Sequence, residues 1–423
     1  MPHDRLGFTF ASLMPLGPQL AVDTARQAAA LGYRSFWTAE TTGPEAFSVL
    51  AAAGTAAPGL DLGTGVLALQ LRTPMVAAMG AATLQALHPE ADIVLGIGIS
   101  SPVVTSRWHG VPYGEHPLGH VREYVALVRA CLSGEKVDFD GDHYRVRGFR
   151  LGMRLGPKRP KIVIGALGPS MLRLAGEIAD GVLLNYLPAS HVAWSVEQVR
   201  AGGEAEIYAY VHAGASDREL GLDKARRDLF SYAVVDASAA SFRRAGFGDE
   251  VDEVRARHAA GDREGALAAV SDRMCDAIDV LGGADAVRGA VRSYVDAGVD
   301  VPVLMPLPGA ATAPRSSRPR WRRPRRPDPP VPSRRGSVGS GHGAARSHRR
   351  RDRGRSRHRV RPRRGVPGRG GGAVAVVDLD QRDVDLAVAR LGERAVGYAV
   401  DVPTGPRSAP SSATSRTGSA RST

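Results

Sequence analysis

Eight times between Leu6 and Met305 a short apolar run is followed or preceded by a longer stretch of helical periodicity, and this alternation restricts the chain to a parallel α/β architecture. The first four runs are Leu6–Phe10, Tyr33–Thr38, Leu60–Leu67 and Asp92–Ile97, followed by helical stretches at Pro18–Leu31, Pro44–Ala57, Pro74–Ala86 and Leu118–Leu132. In the last of these, Val121, Val125, Val128 and Leu132 recur at the spacing of one buried helix face. A polar hairpin, Val137–Val146, turns at Asp140-Gly141, where glycine supplies the positive φ of a tight turn. Strands resume at Lys161–Gly165, Gly181–Leu184, Glu206–His212 and Val301–Met305, separated by helices Pro169–Ala179 and Ser190–Ala201, a long helical stretch Asp217–Asp279, and helix Ala284–Ala297. Strands this uniformly apolar belong to a sheet covered on both faces. Eight such units favour a closed TIM (β/α)8 barrel over an open sheet, with the functional site at the C-terminal ends of the strands.

Charge divides the 423-residue chain in two. Residues 1–314 carry 29 Lys+Arg against 35 Asp+Glu, so the formal +13 of the whole comes from the last 109 residues. Between residues 315 and 369 there are about twenty Arg, no Lys and many Pro, Gly and Ser; no core can form from that composition, so an Arg/Pro-rich, mostly disordered C-terminal tail is expected. Order is expected again at Val374–Asp378 (strand), Val384–Leu391 (helix) and Val396–Val400 (strand). The domains read as 1–310, barrel; 311–371, basic low-complexity segment; 372–402, a βαβ fragment; and 403–423, disordered. Clustered Arg suits phosphates, but only Trp321 is present for base stacking, so a nucleic-acid partner is not the expected one. Arg without Lys is also what frame errors in a GC-rich coding region would give.

Cys131 and Cys275 fall in helical stretches without metal-ligand spacing, so neither a disulfide framework nor a metal site is expected. The N-terminus lacks a basic segment followed by a long apolar run, and no stretch approaches the ~20 apolar residues of a spanning helix. A cytoplasmic protein without a membrane partner is the expectation.

Three strand ends carry candidate chemistry. The third strand ends in Gly63-Thr64-Gly65-Val66, and the fourth runs through Gly96-Ile97-Gly98 to Ser100-Ser101; small residues there let a flat ring approach the backbone. The fifth passes into Ala166-Leu167-Gly168-Pro169-Ser170-Met171, with Pro169 suited to the first helical position, so that free N–H groups can hold a phosphate. Each of these also has a plain reading, as a turn device or a helix start. Their order along the chain resembles the F420-dependent branch of the luciferase-like monooxygenase superfamily over about 305 residues. The likeness lies in Ser35-Phe36-Trp37-Thr38-Ala39-Glu40, Thr64-Gly65-Val66, Gly96-Ile97-Gly98, Trp108-His109-Gly110-Val111-Pro112, Arg122-Glu123-Tyr124, Lys161 through Pro169, and Leu174 through Gly181.

The resemblance implies an enzyme that binds coenzyme F420, or alternatively FMN, and transfers a hydride to or from a small organic molecule. The FMN alternative is a monooxygenase using O2 and a partner reductase; a homodimer is expected in either case. It also implies a ring lying over the third strand, near a non-proline cis peptide at Gly65–Val66, and a phosphate on the backbone of Ala166–Met171. Thr38, Thr64, Gly65, Val66, Gly98, Ser100, Ala166, Leu167, Gly168, Pro169, Ser170, Met171 and Asn185 are then the cofactor-binding candidates. Glu40, expected to point into the barrel mouth, and His109 are the catalytic candidates; Glu40 has a competing reading as a carboxylate at a helix N-terminus. The glutamate that pterin-reducing relatives carry at the end of the first strand has no match in Gly7–Ser12. The piece from Gly372 to Val402 is similar to the second and third strands of short-chain dehydrogenases, with Asp378 as the ribose-binding acid, but lacks their glycine-rich loop. A cofactor-binding protein without turnover, or a nucleic-acid binder acting through its tail, are the readings from other classes.

Overall fold

The computed structural model describes residues 5–214, 218–307, 374–378 and 395–399. The expected tail helix Val384–Leu391, the low-complexity segment and the last residues lie outside them.

The chain begins β1 (Gly7–Thr9), α1 (Pro18–Ala30), β2 (Ser35–Thr38), α2 (Ala46–Ala56), β3 (Asp61–Thr64) and its short continuation β4 (Leu67–Ala68). It goes on with α3 (Pro74–Leu87), β5 (Ile93–Gly98), α4 (Pro117–Ser133), the hairpin β6 (Val137–Asp140) and β7 (Arg145–Phe149), β8 (Lys161–Gly165), α5 (Pro169–Ile178), β9 (Gly181–Leu184), α6 (Ala189–Arg200) and β10 (Glu206–Gly214). Five helices follow, α7 (Arg218–Ala233), α8 (Asp236–Arg244), α9 (Gly248–Ala259), α10 (Arg263–Ala268) and α11 (Asp272–Ile278), and then β11 (Asp279–Leu281), α12 (Ala284–Asp296) and β12 (Val301–Pro306). β13 (Val374–Asp378) and β14 (Ala395–Ala399) pair in parallel with each other.

Every barrel pairing is parallel, and the order β12-β1-β2-β3-β5-β8-β9-β10 returns to β12, closing an eight-stranded barrel. The expected strands and helices are recovered within a few residues, and four helix starts carry a clear local signal: Pro18, Pro74, Pro117 and Pro169 all occupy first-turn positions, where the missing N–H costs nothing. Two features differ from the expectation. Within the expected helical stretch, Arg218–Ile278 form five helices around a core of their own, built on Leu229, Phe242, Val251 and Met274, rather than one long run. Directly after them comes the unexpected strand β11, which pairs with the last three residues of β10, His212–Gly214.

Alternation along the strands sorts side chains into two cores. Leu62, Leu95, Ile97, Ile162, Ile164, Val182, Leu184 and Ile207 face outward and join the core beneath the helices. Trp37, Val94, Val163, Leu183, Tyr208, Tyr210, Val303 and Met305 face inward and fill the barrel. The N-terminal end of the barrel holds a cavity of about 420 Å³ lined by Arg34, Asp61, Asp92, Lys161, Glu206 and Tyr208. Its charges are satisfied among neighbours, Arg34 on Asp61, Lys158 on Asp92 and Lys161 on Glu206, consistent with the stability role of that face. Among the described residues no helix is long and apolar enough to cross a membrane, and no group of acidic, His and Cys side chains is arranged to hold a metal. Both thiols are buried, which pushes Cys131 up to about 11 and Cys275 up to about 12.

Candidate active site

At the opposite, C-terminal end the inward positions are unequal. On one side they are glycines. Gly98 lies in register with Gly165 on β8 and Ala68 on β4, and the Val66 side chain sits over both glycines; a Cβ added at Gly98 would come 3.0 Å from Val66 Cγ2, and one at Gly165 3.2 Å from Val66 Cγ1. Below them, the Gly96 backbone is clasped by Thr64, whose Oγ1 accepts from Gly96 N at 2.8 Å and donates to Gly96 O at 2.9 Å. This side-chain clasp spans the point where β3 leaves its regular course, and a Cβ on Gly96 would land on the Thr64 carbonyl oxygen. The Gly65–Val66 peptide is cis, at the position the resemblance implied. Gly65 N donates to Thr38 O at 2.7 Å, and Gly65 O accepts from the buried Tyr210 hydroxyl at 2.8 Å. The backbone leading to Val66 is therefore held from both sides. Burial drives the Tyr210 phenol well above its ordinary value, so it stays protonated and donating.

The other side is polar. Two residues beyond inward-facing Leu183 comes Asn185, and two beyond Tyr210 comes His212; His212 Nε2 is 2.8 Å from Asn185 Oδ1. Below the rim, the Thr9 hydroxyl lies 3.4 Å from that of Tyr210.

The loop after β8 joins the glycine side directly. Ala166 N is spent on Leu183 O at 3.3 Å and is not free for a ligand, unlike the expectation for this one residue. Gly168 caps α5 without any side-chain hydrogen bond, and Pro169, Ser170 and Met171 form its first turn; these residues are half-buried to exposed. The N–H groups of Ser170 and Met171 lie in the turn that an α-helix leaves unpaired. From the helical insert, Arg244 donates to Leu167 O at 3.0 Å and lies 5.6 Å from the Trp194 ring centre, and burial without a neighbouring carboxylate among the described residues lowers its guanidinium from the ordinary value. A cation thus stands beside an uncapped helix N-terminus, which is a setting for an anion.

The two catalytic candidates do not join this group. Glu40 Oε1 and Oε2 accept from Arg72 Nε at 2.9 Å and from its NH2 at 2.7 Å, and Oε2 also accepts from Ala46 N at 3.1 Å. Trp37 faces inward, so the alternation turns Glu40 toward α2, where it serves the helix N-terminus; the mouth-facing orientation expected from the sequence is not found. His109 is exposed, and its Nε2 contacts Thr41 O at 2.8 Å, tying one loop to another. Ser100 is half-buried, with its amide 3.5 Å from Gln70 Oε1, and Thr38 is fully buried. Sequence reasoning missed Arg244, which is remote along the chain and carries no motif, and His212, which inward alternation from Tyr208 and Tyr210 would have revealed.

Comparison with known proteins bears on the family and the fold. A Mycobacterium tuberculosis protein, Rv3520c, whose name assigns it to the coenzyme F420-dependent oxidoreductases, is 30% identical over 68% of this chain and 90% of its own length. The 5,10-methylenetetrahydromethanopterin reductase of Methanolobus tindarius is 28% identical over 68% of this chain and 90% of its own. The solved coenzyme F420-dependent tetrahydromethanopterin reductase of Methanopyrus kandleri superposes with a TM-score of 0.62 at 21% identity, covering 72% of this chain and 93% of that one. Residues 10–301 match the luciferase-like monooxygenase family, so the chain is an enzyme of that family, an oxidoreductase of the flavin- or F420-using kind.

Proposed function

We propose that the protein transfers a hydride between coenzyme F420 and a small organic substrate. The observation that carries this reading is the continuity of the glycine side of the mouth with the uncapped start of α5: Val66 seated on Gly98 and Gly165 offers an apolar platform for a flat ring and, next to it, the helix start offers donors for a phosphate. Gly98, Gly165 and Val66 would carry the ring, and the amides of Ser170 and Met171 with Arg244 would hold the phosphate. The names of the relatives favour F420 over FMN.

A bound F420 would supply the hydride chemistry itself. The chain's own part is to hold, orient and exclude water. Thr64 clasps the Gly96 backbone and Tyr210 holds the Gly65 carbonyl just before Val66, so the surface beneath the ring is set before anything binds. The insert α7–α11 brings Arg244 and its own apolar core to the rim, supplying walls that the barrel strands lack. The absence of an acid at Gly7–Ser12 argues against a pterin substrate. The second reading, an FMN monooxygenase, is favoured by the family description. Titrating the purified protein with F420 and with FMN tests both. Micromolar F420 affinity with weaker FMN binding is expected; tight FMN and no F420 binding would replace the first reading with the second.

A further inference from the structure

We propose that Asp279 and His212 are positioning residues that hold the Asn185 side-chain amide as a fixed hydrogen-bond donor toward a carbonyl oxygen of the ring bound in the mouth. The inference rests on the reading above that a flavin or deazaflavin occupies that space. His212 faces inward above Tyr208 and Tyr210 and is only 1% exposed. Its Nε2 meets Asn185 Oδ1 at 2.8 Å, and its Nδ1 lies 3.3 Å from Asp279 Oδ1. Asn185 Oδ1 also accepts from Tyr186 N at 2.9 Å. With the oxygen end of the amide occupied twice, the orientation of the side chain is settled, and the end that remains is Nδ2 with two N–H groups. Asn185 is half-buried at the rim, and its Nδ2 has no acceptor among the described residues. Across the mouth lie Gly98 and Gly165 with the Val66 side chain seated on them.

This arrangement is costly, which argues that it serves more than packing. Asp279 is fully buried, and neither of its carboxylate oxygens has a hydrogen-bond partner among the described residues; the approach of Oδ1 to His212 Nδ1 is an ion-pair contact without hydrogen-bond alignment. Asp228 stands in the same pocket, accepting from the Tyr186 hydroxyl at 2.8 Å, so two carboxylates share the surroundings of one imidazole. Buried charges of this kind stabilise a fold less than apolar residues of the same volume would. Tyr186, next to Asn185, has a φ of 52°, a left-handed conformation that non-glycine residues rarely adopt, and such residues cluster at functional sites. Asp279 is the first residue of β11, so the helical insert provides the group that steadies a side chain of the barrel.

The test is a double-variant cycle on the full-length protein, read by F420 binding and by the absorption band of bound F420, with circular dichroism as the check on folding. N185A and D279N are each expected to weaken F420 binding about tenfold, the loss of one ordinary hydrogen bond, and to abolish the same band shift. N185A/D279N is expected to bind no more weakly than N185A, because Asp279 acts only through Asn185. H212Q, which retains an N–H donor, is expected to restore part of what H212A loses; should D279N fail to fold, the cycle of H212A with N185A carries the same test. Wild-type-like binding and band position in D279N, or losses that add in the double variant, would overturn the inference. Failure of the wild-type protein to bind either F420 or FMN would instead overturn the function proposed above.

Discussion

Replacing Glu40 with Gln separates a structural carboxylate from a catalytic one. The E40Q side chain keeps its shape but gives up the charge on a pair whose side chains are only 15% and 18% exposed. Arg72 retains Glu45, so the guanidinium is not stranded; the change costs one charge-assisted contact, about 2 kcal/mol. Weakening of the carboxylate at the start of α2 adds ~0.3–1 kcal/mol. A total of about 2–3 kcal/mol in a barrel of this size lowers the melting temperature by roughly 4–6 °C. Thermal denaturation followed by circular dichroism at neutral pH measures the first quantity, and F420 titration the second, in which affinity is expected to stay within about twofold of the wild type. A melting temperature within a degree of wild type, together with a tenfold loss of F420 affinity, would refute the reasoning and return Glu40 to the cofactor.

Four further outcomes follow from the geometry. G98V places methyl groups against Val66 and is expected to abolish binding of F420 and FMN alike while circular dichroism still reports a folded barrel; undiminished affinity would remove the glycine side from the site. R244Q is expected to weaken F420 binding and to flatten its dependence on salt, measured by titration at low and high ionic strength; an unchanged salt dependence would exclude Arg244 from the phosphate. Burial raises the Asp228 carboxyl above its ordinary value, with Asp279 adding to the effect against His212. A group raised in this way contributes its stability below the unfolded value of about 3.9 and loses it as pH rises through the folded one. D228N is therefore expected to gain on the wild type in melting temperature as pH climbs from about 4 toward neutrality, and parallel curves would contradict this. A chain ended at Ala313 is expected to fold and to bind F420 as the full chain does; loss of binding would show that the later residues belong to the enzyme.

The barrel was legible because its signals are local. Pro at helix starts, period-two and period-3.6 spacing, and Gly-rich strand ends each act within a few residues, and strands such as Lys161–Gly165 and Gly181–Leu184 were bounded to the residue. The candidate site's backbone features, at Gly65, Gly98 and the start of α5, were legible because glycine and proline announce backbone geometry. It was not legible where it depends on side chains meeting across long separations. Arg72 claims Glu40 over 32 positions, and Arg244 reaches Leu167 over 77. The orientation of Glu40 was misjudged because a strand end was taken to point inward, whereas inward Trp37 fixes the opposite parity three residues later. β11 escaped notice because three residues at the end of a helical stretch carry no periodicity of their own.

Strand β10 borders β9 along its first half and β11 along its last three residues, with β12 on its other side. The helical insert is thus stitched into the barrel wall by main-chain bonds and is not merely draped over its opening. Anyone grafting this region onto a sister scaffold to transfer selectivity would have to move residues 218–281 as a single cassette. A graft that stopped short of Asp279 would leave the His212 ring without the buried carboxyl group beside it.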